Sequence, residues 1–186
     1  IFNMLILGLT GSTGVAAYGV VANMSLVGMA ITNGMAQGTQ PLISESFGKG
    51  EHGQVKKLLR WALTSVIVVE VAMVILVWIF TDPFVAAFNS ENNLLLLKYA
   101  HTGLRLYFLG FLFAGVNIML VAYFSATANA RPAIIGSLLR GVVAIAVCAI
   151  VLAKLLGMNG VWLSFLASEV ITFVVILILS KHKENR

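Results

Sequence analysis

Long apolar runs separated by short polar breaks govern this chain, at 1–9, 15–47, 61–80, 94–125, 132–156 and 161–179. One helix needs about 20 consecutive apolar residues to cross a bilayer, so five of these runs are complete spans. The run 1–9 is a partial one. Its nine residues, at about 1.5 Å each, reach only about 13 Å, less than half of the hydrocarbon core. The pattern therefore predicts an all-α, polytopic transmembrane helical bundle with five full spans plus a partial one, and a chain that begins inside a helix of a longer protein. Turns are expected at 10–14 and 81–93. Within the long run 15–47 the apolar pattern is interrupted on one side only. Asn33, Gln37, Gln40 and Ser44 recur at i, i+4, i+7 and i+11, which puts them on one helix face. An amide facing hydrocarbon without a partner costs several kcal/mol, so that face predicts a wet cavity inside a membrane bundle.

Composition excludes a soluble globule. The 186 residues are 60% hydrophobic and 10% charged, with a mean hydropathy of +0.98, whereas soluble domains carry about 25% charged residues. The net charge of +5 and pI of about 9.6 do not describe a nucleic-acid surface, because the basic residues follow alternate connections. Lys49, Lys56, Lys57, Arg60, Arg131, Lys181, Lys183 and Arg186 fall on one side, and Lys98 and Lys154 on the other, with Arg105 inside its helix and Asp82 and Glu91 nearby. Positive residues concentrate in cytoplasmic loops. The sequence therefore predicts a multi-pass protein of the cell membrane with a cytoplasmic carboxyl terminus, its basic loop after 47 seated at the lipid headgroups.

Enzyme chemistry finds no foothold. His52, His101 and His182 are expected in or beside different loops, and the chain contains no HExxH, CxxC, GxSxG or GxxxxGK[ST] pattern. Gly48-Lys49-Gly50 follows a helix rather than a strand and reads as a plain loop. Cys148, inside the fifth span, reads as a small buried apolar residue. The sequon at Asn23 lies at membrane depth, out of reach of glycosylation. No cofactor or metal ligand set is expected.

Three ionisable residues lie within spans. Counted at about 1.5 Å per residue from the cytoplasmic ends near Trp61, Pro132 and Ser180, Glu70, Arg140 and Glu169 sit about 13, 12 and 16 Å deep, in one slab. Each would cost about 2.5–3.5 kcal/mol unpaired. They read either as a buried Glu–Arg–Glu cluster locking the bundle, or as a group containing a cation-coupling carboxylate; a neutral, protonated acid is the third option. Gly34-Met35-Ala36-Gln37-Gly38 is a GxxxG pattern suited to close helix packing. Phe113, Asn117, Leu120 and Phe124 share a face of the fourth span, fit either for packing or for a pocket holding an amphipathic cation. Pro41 predicts a bend or local unwinding.

The segments GVAAYGVVANMSLVGMAITNGMAQGTQPLISESFGKGEHGQVKKLL, YFLGFLFAGVNIMLVAYFSATANARPAIIGSLLRG and GMNGVWLSFLASE, taken in order, resemble the carboxyl-terminal half of a multidrug and toxic compound extrusion (MATE) transporter. The resemblance covers essentially all 186 residues. It is nearest to a bacterial efflux subgroup with GxxQGxQPLI in its eighth helix, carried here by Gly34, Gln37, Gly38, Gln40, Pro41, Leu42, Ile43 and Gly48. It implies one transmembrane lobe over residues 1–186, from a partial helix seven through helix twelve, packed against an amino-terminal lobe that this sequence lacks. Drugs such as amphipathic organic cations would be exchanged for Na+ or H+ across a cleft lined by Asn33, Gln37, Gln40 and Asn117. Some family members place coupling carboxylates in helices seven and ten, but 1–9 and 94–125 contain no Asp or Glu, so the ion site is expected in the amino-terminal lobe. Two alternatives remain at this stage: a lipid-linked saccharide flippase of the same superfamily, expected to carry cationic residues along its cleft, and a non-transporting six-helix membrane scaffold.

Overall fold

The computed structural model describes residues 2–89 and 93–184, with 181–184 described by backbone alone. Glu91 and Arg186 lie outside the described residues, as do the side chains of Lys181, His182 and Lys183. Among the described residues every element is helical.

Helix α1 (Phe2–Gly48) leaves helical geometry only at Gly11, where φ is 69° and ψ is −160°. That residue reverses the chain. Phe2 stacks on Tyr18 with ring centroids 5.3 Å apart, whereas sixteen residues of unbroken helix would separate them by about 24 Å. The turn expected over 10–14 is thus a single-glycine hairpin, with Gly14 so close to Thr10 that a Cβ would lie 1.8 Å from its Oγ1. The arm before the reversal buries Ile6 against Ala153 and Val161. The unwinding expected at Pro41 does not occur. Pro41 is exposed and the backbone stays helical through it, although the Gln37 carbonyl loses its amide donor there. Gly48-Lys49-Gly50 is a helix cap rather than a plain loop: Gly50 takes φ 75°, its N–H bonds the Phe47 carbonyl and the Glu51 N–H bonds that of Ser46, the Schellman arrangement.

Helix α2 (His52–Ile79) begins well before the expected 61, so Lys56, Lys57 and Arg60 ride its first turns instead of a loop. Where 81–93 predicts only a turn, a short helix α3 (Thr81–Phe88) buries Val85 in the core. His101 lies within α4 (Leu94–Phe108), not beside a loop, with Nε2 3.4 Å from Asp82. Asn93 caps α4 by accepting from the N–H groups of Leu95 and Leu96.

The single span expected over 94–125 is broken. α4 and α5 (Phe111–Ala126) meet at a 42° bend. Around it the ladder tightens to i→i+3 bonds: Gly110 to Tyr107, Leu112 to Leu109 and Phe113 to Gly110. Gly110 sits so near the last helix that a Cβ would be 2.4 Å from the Phe165 ring. The next span runs through α6 (Ala130–Leu138), a π-helical turn (Leu139–Val143) and α7 (Ala144–Leu156). Gly157, at φ 60°, then turns the chain into α8 (Met158–Glu184), and α7 and α8 pack as a hairpin.

The largest core cluster draws Val20, Val21, Val77, Leu104, Phe108, Phe111, Trp162 and Phe165 from five helices. Outside, Val68, Ile75, Leu76, Ile79, Val142, Val147 and Leu155 are exposed, an apolar mantle that water-soluble monomers rarely carry. Among the described residues four helices, or five when the bent pair is one span, are long and apolar enough to cross a membrane, in keeping with the five spans expected.

Candidate functional site

The polar stripe lies on the uncovered side of α1. Asn33, Gln37 and Ser44 are exposed and Gln40 is half-buried, while Thr32, Ala36, Ile43 and Ser46 on the opposite side are buried. At 100° per residue the stripe occupies one edge of the exposed arc, and Val27, Ile31 and Leu42 occupy the other. Asn33 turns its amide back to the Met29 carbonyl at 2.8 Å. Asn23, on the same exposed side, does likewise to Gly19 at 2.9 Å. The sequence treats Asn23 only as an unusable sequon; its fit to the exposed arc was the available signal. Among the described residues no helix packs closely on the GxxxG pattern, since a Cβ on Gly34 or Gly38 would meet nothing within 4 Å. Nothing among the described residues covers this face.

Asn117 does not join that face. It is fully buried, and its Nδ2 donates to the Glu169 carbonyl at 2.8 Å and to Glu169 Oε2 at 2.7 Å. The aromatic face around it is a helix interface rather than a pocket: Phe113 stands edge-on to Phe173 at 5.8 Å, and Phe124 packs with Ala133 and Ile176. Amide and rings that the 3.6-residue period aligns have been spent on α8, which the sequence pattern could not choose over a cleft.

The three mid-depth charges divide in two. Arg140 Nε lies 3.2 Å from both carboxylate oxygens of Glu169, the acid 3% and the guanidinium 19% exposed. Glu70 is not part of this pair. It is fully buried and accepts a 2.6 Å hydrogen bond from the Gly115 N–H. Helical geometry explains the division, since Gly115 and Asn117 are two positions apart on α5 and point about 200° away from each other. One side of α5 takes Glu70 from α2, and the other takes Glu169 from α8. Two features escaped the sequence reading. Gly115 is the seat of Glu70, with no room for a Cβ 2.2 Å from Oε1, and Arg140 sits in the π turn. Such turns concentrate at functional positions and re-aim the side chains they carry. Among the described residues no group of three or more His, Cys, Asp or Glu side chains gathers.

The comparisons with known proteins agree with this architecture. The MatE family model matches residues 1–150. The chain is 30% identical over 164 residues to the multidrug export protein MepA of Staphylococcus aureus, a stretch that is 86% of this chain and 34% of that protein. It is 27% identical over 187 residues to MepA of Staphylococcus haemolyticus, covering 98% of this chain and 39% of the relative. A MATE family transporter in an inward-facing conformation superposes with a TM-score of 0.89 at 18% identity, over 98% of this chain and 42% of that one. An outward-facing MATE structure gives 0.88 at 17%, over 98% and 41%, so the fold of this chain is common to both. The Vibrio cholerae MATE transporter VcmN, in its bent form, gives 0.84 at 18%, over 94% and 39%. The chain thus spans between a third and somewhat over two fifths of the length of these relatives. With the family model matched over most of its length and the bundle shared with solved transporters, this chain belongs to the MATE transporter family.

Proposed function

We propose that the chain forms the carboxyl-terminal lobe of a cation-coupled multidrug exporter, exchanging amphipathic drugs for Na+ or H+, and that the α1 stripe lines the substrate path against an amino-terminal lobe. The observation that carries this reading is the uncovered polar face of α1, where Gln37 and Gln40 stand on a helix otherwise fit for lipid. Neutral amides can bond a drug without fixing its charge, which suits a site that accepts varied compounds and releases them. Their neutrality also disfavours a flippase for pyrophosphate-linked saccharides, which needs cations. Asn117 is left out of the proposed path because its amide is engaged with Glu169. The charge bias of the loops supports a cytoplasmic carboxyl terminus.

The test is resistance profiling of the full-length transporter in an efflux-deficient bacterium. Gln37→Ala and Gln40→Ala are expected to change the substrate profile while expression and membrane insertion stay at wild-type levels, because an amide removed from an uncovered face costs the fold little. Gln37→Leu is expected to shift the profile toward more apolar compounds. If both alanine variants export every tested compound at wild-type rates, the stripe is not the path.

A further inference from the structure

Of the two buried acids among the described residues, Glu169 has a cation and Glu70 has none. Glu70 Oε1 takes the Gly115 N–H, and its Oε2 is buried without a hydrogen-bond partner. The seam between α2 and α5 is nevertheless shaped for this carboxyl group. Only a glycine fits opposite, since a Cβ at 115 would lie 2.2 Å from Oε1, 2.4 Å from Cδ and 2.8 Å from Oε2. The charged pair Arg140 and Glu169 is engaged on the other side of α5, with Asn117, and neither makes a hydrogen bond or ion pair to Glu70. α1, α3 and α4, which also pack on α2, bring no titratable side chain to bear among the described residues. A carboxylate with one neutral donor and no cation is poorly tolerated at membrane depth, whereas the neutral acid is acceptable there. The ionised form therefore requires that the seam admit water.

We propose that Glu70 is a proton-binding site of this lobe, its Oε2 taking a proton from water on one face of the membrane and returning it to water on the other as the α2–α5 seam opens. The inference rests on the exporter reading above and deepens it by naming H+ and a position for it in this half. A metal ion is the poorer occupant, because hard cations gather about six oxygens and Glu70 offers one free oxygen with no second carboxyl beside it.

The experiment uses the full-length transporter in membrane vesicles. Dicyclohexylcarbodiimide, which modifies protonated carboxyls in apolar surroundings, is added across a pH series and the adduct on the Glu70 peptide is followed by mass spectrometry. Labelling is expected at mildly acidic pH, lost as pH rises, and absent in Glu70→Gln. That variant keeps an acceptor for Gly115 N–H, so it is also expected to lose efflux driven by a pH gradient while retaining drug exchange between preloaded vesicles. Three results would overturn the proposal: no adduct on Glu70 at any pH, protection by Na+ at constant pH, or wild-type gradient-driven efflux in Glu70→Gln. The labelling arm needs no variant and no drug. If the wild type moves no drug, the exporter reading fails while labelling still decides the proton site.

Discussion

Removing Arg140 strands Glu169. The guanidinium Nε is 3.2 Å from both oxygens, and at an effective dielectric of about 20 two unit charges at that separation attract by about 5 kcal/mol. Desolvation of the pair offsets much of this, so the pair adds little net stability as a unit, yet leaving one buried charge alone costs about 3–5 kcal/mol. Arg140→Met should fall in that range, because the carboxylate it abandons is 3% exposed and keeps only the Asn117 amide. Glu169→Gln should cost less, about 1–3 kcal/mol: glutamine still accepts from Asn117, and Arg140 is 19% exposed. The double variant Arg140→Met/Glu169→Gln removes both charges and should recover part of the loss, giving a coupling of about 2 kcal/mol. Unfolding of the purified protein in mixed micelles, followed by tryptophan fluorescence, measures all four corners of the cycle. Single effects that add to within about 0.5 kcal/mol would refute the argument, since they would mean that the two side chains do not sense one another in the folded bundle.

Other glycines and loops supply sharper contrasts. Gly103→Ala would place a Cβ 2.9 Å from the Trp162 ring and should destabilise by about 1–3 kcal/mol, whereas Gly34→Ala, which meets nothing within 4 Å, should be neutral or stabilising by up to about 1 kcal/mol; equal effects in a thermal-unfolding comparison would contradict the packing described. Ala128 holds φ 55° at the end of α5, where the Asn129 N–H reaches back to the Phe124 carbonyl at 2.7 Å, so Ala128→Gly should raise stability by about 1 kcal/mol in the same assay. For orientation, a cysteine replacing the exposed Asp82 should react with an impermeant thiol reagent outside intact cells and one replacing His52 should not. The reverse pattern would invert the topology.

The membrane-length spans could be read from the sequence because lipid imposes a one-dimensional rule: each span must be apolar for about 20 residues and satisfy its own backbone. The stripe Asn33, Gln37, Gln40, Ser44 was legible for the same reason, since the 3.6-residue period alone puts those residues on one face. The period does not say what that face meets. Asn117 obeys it equally well, yet is buried on Glu169, and the GxxxG pattern that invites a neighbouring helix is left open. Counting along each helix assigns Glu70, Arg140 and Glu169 similar depths, but pairing depends on rotation about the helix axes and on which helices adjoin. Only the packed bundle decided that α5 would stand between Glu70 and the Arg140–Glu169 pair. The bend at Gly110 and the hairpin at Gly11 divide in the same way: polar residues near 10–14 announce a turn locally, while the break in 94–125 follows from the press of Phe165 on a glycine, a contact between residues distant in sequence that no local pattern contains.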